Sequence, residues 1–299
     1  MPKVTDWIQA FRLRTLPLAF ACIGMGAFLA YGDGHYKAII LFLSLLTTLF
    51  LQVLSNLAND YGDSLSGVDH AERKGPSRTV QSGRISRELM RKALVIFAVL
   101  AFASGILLIL IAFPGQWILF LGFLFLGLAS IAAAIKYTVG KNPYGYVGLG
   151  DLFVLIFFGL VGVLGSYFLH TQAFRIENIL PALSCGLFAV GVLNVNNIRD
   201  IESDRLAGKF SIPVRIGKQN AVRYHLTLLV LGWFSAVVYT VSLYDYYDDL
   251  VYFICFPIFV SHARKVVITK DSASLDPTLR QLALSTLLFV LLFGVGRIF

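Results

Sequence analysis

Along the chain, apolar residues come in long unbroken runs rather than in alternating stripes. Nine runs stand out, at about 16–32, 38–56, 92–113, 115–135, 147–169, 178–196, 222–243, 249–267 and 279–298. Roughly 20 apolar residues carry a helix across the hydrocarbon of a bilayer, and a backbone in lipid must satisfy its own hydrogen bonds. The pattern therefore predicts an all-α, polytopic membrane protein with nine transmembrane helices. The eighth run is the weakest, because its clean core LVYFICFPIFV is short and contains Pro257. The ninth has a start signal, with Asp276 as candidate N-cap and Pro277 at the first helical position.

The first residues differ from the runs. MPKVTDWIQAFRLRTLPLAF begins amphipathic, and no small-residue cleavage site follows a short apolar core. This predicts an interfacial helix at about 4–13 leading into the first span, with residues 1–299 forming one transmembrane domain. Composition agrees: 57% of residues are hydrophobic and only 14% charged, against about 25% charged in soluble domains. Cys22, Cys185 and Cys255 lie far apart inside apolar runs and read as buried small hydrophobes.

Charge then orients the chain. With the N-terminus inside, every Lys and Arg except Lys37, Arg175 and Arg297 falls on the inner side. This is the positive-inside pattern of a bacterial inner-membrane protein with its C-terminus outside. The net charge of +8 is mostly this bias, together with contact to anionic lipid. It gives no reason to expect nucleic acid.

Two inner segments depart from simple topology. Around NDYGD, residues 59–63, the preceding Asn56, then Asn59 or Asp60, and Asp63 recur at helical spacing on one face. In NNIRDIESD, residues 196–204, Asn196, Asp200 and Asp204 repeat at i, i+4 and i+8. Aligning Asn59-Asp60-x-x-Asp63 with Asn196-Asn197-x-x-Asp200 gives a faint internal repeat, each copy followed by a basic stretch, ERKGPSR and DRLAGK. The second and sixth spans are an even number of crossings apart, so both motifs emerge at the same face and can meet across one cavity. One acidic helix end is ordinarily just solvated. Two matched clusters with amide partners are oxygen donors suited to Mg²⁺, which takes one or two carboxylates and leaves positions for phosphate and water.

The neighbouring cations Arg73, Lys74, Arg78 and Arg205 imply a polyanionic ligand, and a diphosphate suits both charge types. KYTVGKNPYGY, residues 136–146, adds Tyr137 and Lys141 as YxxxK on the same side. Asp151, at the start of the fifth span, either caps its helix or reaches the site.

These segments resemble the UbiA superfamily of intramembrane aromatic prenyltransferases, whose motifs are NDxxDxxxD, YxxxK and DxxxD. The matches are Asn59, Asp60 and Asp63, then Tyr137 and Lys141, then Asp200 and Asp204; the resemblance spans the chain. One departure is Gly67, where the family has its last Asp, with Asp69 two residues later. That spacing, with RTLPLA (14–19), VQSGRIS (80–86) and GYVGLGDLFV (145–154), is similar to the branch that prenylates 1,4-dihydroxy-2-naphthoate in menaquinone synthesis.

The resemblance implies nine helices around a central cavity and Mg²⁺-dependent transfer from a polyprenyl diphosphate to an aromatic acid acceptor, with loss of CO₂ and diphosphate. It implies Asp63, Asp200 and Asp204 as catalytic residues. Asn59, Asp60, Asp69, Asn196 and Asn197 join them as metal ligands. Arg73, Lys74, Arg78, Tyr137, Lys141, Arg205 and Arg14 become diphosphate candidates, Arg14 being also a candidate for the acceptor carboxylate. Another acceptor such as 4-hydroxybenzoate is the nearest alternative. A cation transporter fits less well, since it would set acids at mid-membrane and away from fixed cations.

Overall fold

The computed structural model describes residues 2–66, 78–243 and 247–298. Among them there is no strand, and nine helical stretches are long and apolar enough to cross a membrane. The principal helices are α1 (Val4–Phe11), α2 (Leu16–Gly32), α3 (Ala38–Ser66), α4 (Arg87–Ala112), α5 (Trp117–Lys136) and α6 (Gly150–Thr171). They continue as α7 (Ile179–Arg199), α8 (Ile201–Leu206), α9 (Ile212–Ser242), α10 (Phe256–Ile268) and α11 (Asp276–Ile298).

Several helices outrun the apolar runs that announce them. Hydropathy marks where a helix meets lipid, not where its hydrogen bonds end. α3 continues ten residues past position 56 and carries NDYGD as regular helix. α4 begins at Arg87, where Ser86 caps it by accepting from the Leu89 amide, as expected for Ser at an N-cap. The weak eighth run resolves into a 3₁₀ segment, Tyr247–Cys255, followed by α10, which has Pro257 in its first turn. α11 begins at Asp276, but both oxygens of that carboxylate are taken by arginines from elsewhere in the chain. The expected N-cap is therefore an interhelical ion pair.

The deepest packing lies where α2, α6, α7, α9, α10 and α11 meet. Phe188, Trp233, Tyr252, Phe259 and Phe289 interlock there at edge-to-face or tilted angles, the arrangement that aromatic quadrupoles prefer. His225 and His262 are buried, with their Nε2 atoms 2.9 Å apart, joining α9 to α10. The three cysteines are free and buried, as expected of small hydrophobes. α5 stands at the other extreme, with no buried residue, as suits a helix between lipid and an internal cavity that its Leu126, Ser130 and Ala134 help to line. In the middle of α6, Leu155–Gly165 is wound as π-helix, a rare winding often found beside functional sites. Here it walls a cavity of about 420 Å³.

Candidate active site

That cavity runs among α2 to α7 and α11, and its head is where the two acidic motifs approach each other. Asn59, Asp63, Arg78, Tyr137, Asn196 and Lys209 line it together. Below them the walls are apolar and aromatic, including Leu18, Phe153, Phe157 and Phe158. Tyr144 stacks on Phe153 at 3.9 Å between ring centroids, and Phe153 stacks in turn on Phe157. A ladder of π-faces thus descends from the charged head.

Each half of the head is built by a different local device. On α3, Asp60 and Asp63 are both buried. Asp60 Oδ2 accepts from the Thr79 amide at 3.1 Å and the Thr79 hydroxyl at 2.5 Å, so Asp60 anchors the segment that carries Arg78. Asp63 accepts from the Tyr146 hydroxyl at 2.6 Å and forms an ion pair with Arg78. Arg78 also donates to the Asn59 carbonyl at 2.6 Å. Gly62 lets the loop after α5 approach, because a Cβ there would meet the Thr138 carbonyl oxygen at 2.6 Å. Thr138 in turn donates to the Ala58 carbonyl at 2.9 Å.

In the other half the helix does not continue through the motif, as the i, i+4, i+8 spacing suggested. α7 ends at Arg199, Asp200 sits at the break with φ −99° and ψ 11°, and α8 restarts at Ile201. The break turns Asp200 back onto the preceding side chain. Arg199 grips it with Nε to Oδ1 at 2.9 Å and Nη2 to Oδ2 at 2.7 Å, then reaches Asn196 Oδ1 at 2.9 Å and Asp276 Oδ1 at 2.5 Å. Asp204 pairs with Lys209, whose Nζ is 3.0 Å from Oδ2. Gly208, at φ +68°, makes the reversal that returns Lys209 to the site. That left-handed geometry costs glycine little.

The electrostatics bind the halves into one unit. Burial acts against the charge on Arg78 and lowers its pKa, while Asp60, Asp200, Tyr146 and Asp204 all favour it. Acids of both motifs therefore surround one guanidinium. Burial raises the Asp204 pKa, opposed by Lys209. Burial alone would depress Lys209, yet Asp204, Tyr137 and Asp200 hold it above its ordinary range. The Tyr137 phenol is raised by burial and stays protonated as a donor.

Not every expected residue enters this head. Asp60, Asn197, Asp200 and Asp204 are buried but do not line the cavity; Asp60 holds Thr79, Asp200 is held by Arg199, and Asp204 pairs with Lys209. Lys141 is exposed and does not line the cavity, so only the tyrosine of YxxxK faces it. Arg205 points outward beside Glu202 at 3.8 Å, half exposed; Lys209, four residues on, holds the inward place. Arg14 lines the cavity mouth and pairs with Asp276 at 2.9 Å. Asp151 neither lines the cavity nor is exposed; it accepts from Tyr224 at 2.9 Å and ties α6 to α9. Asp69, Arg73 and Lys74 lie outside the described residues. Sequence reasoning missed Arg199, Lys209, Tyr146 and Thr79. DRLAGK carried the only signal for Lys209, as a cation beyond a glycine.

Does this donor set suit a divalent cation? Among the described residues, no three carboxylate, imidazole or thiol groups form a closed cage. A hard ion that keeps water and substrate phosphate in its shell needs no such cage. The chemistry fits: Asn59, Asp63 and Asn196 offer carboxylate and amide oxygens on the wall, and off it Asp60 Oδ1 and Asn197 Oδ1 are buried with no hydrogen-bond partner.

Fold and site together define a helical membrane protein whose apolar chamber is headed by facing carboxylates and cations, as transfer of a lipid-like group from an anionic carrier requires. Residues 18–294 match the UbiA prenyltransferase family, and the chain belongs to that family. It is 44% identical over 295 residues to the 1,4-dihydroxy-2-naphthoate octaprenyltransferase of Escherichia coli strain K12, covering 98% of this chain and 95% of that one. It is 42% identical to the enzyme of the same name from Haemophilus influenzae, covering 98% and 96%. The fold is similar to that of an apo UbiA homolog from Aeropyrum pernix K1, with TM-score 0.67 and 17% identity over 96% of this chain and 97% of that one. It is also similar to a UbiA homolog from Archaeoglobus fulgidus bound to GPP and Mg²⁺, with TM-score 0.62 and 16% identity over 96% and 98%.

Proposed function

We infer that this protein transfers a polyprenyl group from polyprenyl diphosphate to 1,4-dihydroxy-2-naphthoate, releasing diphosphate and CO₂ and forming demethylmenaquinol. The observation that carries the reading is the meeting of Asp63, Arg78 and Lys209 on the wall of a single aromatic-walled cavity, with Asp204 paired to Lys209 and Asp200 among the acids whose charge acts on Arg78. The near full-length identity to naphthoate octaprenyltransferases supports this acceptor over 4-hydroxybenzoate.

Asp63, Asp200 and Asp204, with Asn59, Asn196, Asn197, Asp60 and Asp69, are the residues we assign to holding Mg²⁺. When bound, the metal supplies Lewis-acid neutralisation of the diphosphate. Arg78 and Lys209 contribute fixed positive charge at the same place, and Tyr137 a phenolic donor. Charge-assisted hydrogen bonds to phosphate oxygens favour the state in which the allylic C–O bond has broken and its electrons reside on diphosphate. The Tyr144–Phe153–Phe157 ladder then faces the electron-poor allylic carbon, where aromatic faces attract positive charge. Apolar walls keep water from capturing that carbon. The electron-rich ring attacks it at the carbon bearing the carboxylate, and loss of CO₂ returns the electron pair to the ring.

Membranes containing the protein should prenylate 1,4-dihydroxy-2-naphthoate when given Mg²⁺ and an allylic diphosphate. Prenylation of 4-hydroxybenzoate instead would overturn the acceptor assignment. The basic side of the bundle is assigned to the cytoplasm of a bacterial inner membrane. Reporter fusions at the C-terminus should therefore read outside.

A further inference from the structure

Besides Arg78 and Lys209, three arginines line the cavity: Arg12, Arg14 and Arg280. The first two sit on the turn between α1 and α2, which is held in a costly conformation. Arg12 has φ 49° and ψ 51°, a left-handed geometry that a side-chain-bearing residue keeps only when its surroundings enforce it. α3 enforces it here. Asn56 donates to the Phe11 carbonyl at 2.9 Å and to Thr15 Oγ1 at 3.1 Å, and Gln52 donates to the same hydroxyl at 3.0 Å. Thr15 donates to the Arg12 carbonyl at 3.0 Å.

Arg280 approaches the same mouth from α11, beside the cavity-lining Leu279 and Ala283. Its natural helical partner is Asp276, four residues earlier. That carboxylate is already committed on both oxygens: Oδ2 to Arg14 at 2.9 Å, and Oδ1 to Arg199 at 2.5 Å. Arg280 thus faces the cavity with no acidic partner among the described residues.

We propose that Arg280 holds the carboxylate of the aromatic acceptor at the cavity mouth and is a specificity-determining residue for that substrate. The proposal rests on the acceptor being an aromatic acid, as inferred above. It also supplies a release mechanism. The carboxylate leaves as CO₂ during the reaction, so the cation that draws in the substrate has no charge to hold on the product. Product therefore leaves to the lipid without competing for Arg280.

The test compares acceptors with and without the carboxylate. Wild type and Arg280→Gln are assayed in Mg²⁺ with 1,4-dihydroxy-2-naphthoate and with 1,4-dihydroxynaphthalene. Arg280→Gln should raise the acceptor KM by roughly ten- to a hundred-fold, the worth of a charge-assisted hydrogen bond. The donor KM should stay unchanged, and the wild-type preference for the carboxylated ring should shrink by a similar factor. Arg280→Lys should restore part of it. Calorimetric titration with 1-hydroxy-2-naphthoate, which cannot turn over without donor, should show the same weakening. An unchanged acceptor KM and preference in a folded Arg280→Gln protein would overturn the proposal. Wild type that ignores dihydroxynaphthoate altogether would overturn the acceptor assignment instead.

Discussion

Arg199 offers the sharpest test of how the site is held. Its side chain is 1% exposed, and it makes two hydrogen bonds to Asp200, itself 5% exposed, plus one each to Asn196 and Asp276. Replacing it by alanine strands the Asp200 carboxylate in a medium that cannot solvate it. Breaking a buried pair from one side costs about 3–5 kcal/mol. The Asp276 contact adds little, since that carboxylate is 31% exposed and keeps Arg14. Arg199→Ala should therefore lower the apparent melting temperature of detergent-purified protein by roughly 5–15 °C. A packing defect alone would also lower it, so the decisive measurement is the double variant. Arg199→Ala with Asp200→Asn removes the stranded charge and should recover at least about 2 kcal/mol, a coupling typical of residues in one network. Mg²⁺ should stabilise Arg199→Ala more than wild type, because a cation at Asp200 then replaces the missing one. If Asn at 200 restores nothing, Arg199 serves packing and the electrostatic reasoning fails.

Other outcomes follow from the same geometry. Asp63→Asn and Asp204→Asn should each reduce turnover more than about a hundred-fold while the protein remains folded in membranes, checked by product chromatography and gel filtration. Lys209→Met leaves Asp204 buried without its cation and should both destabilise the protein and raise the donor KM, measured by thermal unfolding and initial rates. Tyr224→Phe removes the hydrogen bond to Asp151 away from the cavity; it should cost about 1–2 kcal/mol of stability with KM for both substrates unchanged. Removing Mg²⁺ with EDTA should abolish turnover, and adding excess Mg²⁺ should restore it, in a membrane assay.

How far the sequence reveals the site depends on the distance over which each part is built. The nine spans are legible because lipid selects long apolar runs, and NDYGD is legible because α3 keeps its helical period through Asp63. The extent of α3 and α9 is less so: their ends leave the hydrocarbon, where hydropathy no longer reports on helix. NNIRDIESD misleads in a more instructive way. Its spacing suggests one continuous stripe, but the chain breaks at Asp200, and the break lets Arg199 fold back onto its neighbour. Sequence adjacency argues against such a contact on a regular helix, where i and i+1 do not face each other. Lys209 has the same origin, returned by Gly208 to a place that Arg205 occupies in a linear reading. Asp276 lies furthest from legibility. As a helix start it looks like a cap, yet it bridges Arg14 and Arg199 across residues far apart in sequence.

That bridge explains why the charges at this membrane face divide into different jobs. Arg199 and Arg14, both tied to Asp276, lock α7, α11 and the α1–α2 turn around the cavity and give it a fixed shape. Three other cations on the cavity wall can act on anionic ligands: Arg78 and Lys209 where a diphosphate would sit, and Arg280 at the mouth. Arg78 and Lys209 must exchange carboxylate partners for phosphate oxygens as donor and metal arrive, a trade between similar charge-assisted bonds that costs little. Arg280 has no acid to give up among the described residues. Acceptor binding should therefore depend on ionic strength through Arg280, whereas the buried Arg199–Asp200 pair, shielded from the ion atmosphere, should not. Raising salt from about 0.05 to 0.5 M ought to weaken acceptor binding in wild type and leave the already weak binding of Arg280→Gln nearly unchanged. An equal salt response in both would place the salt-sensitive contact elsewhere.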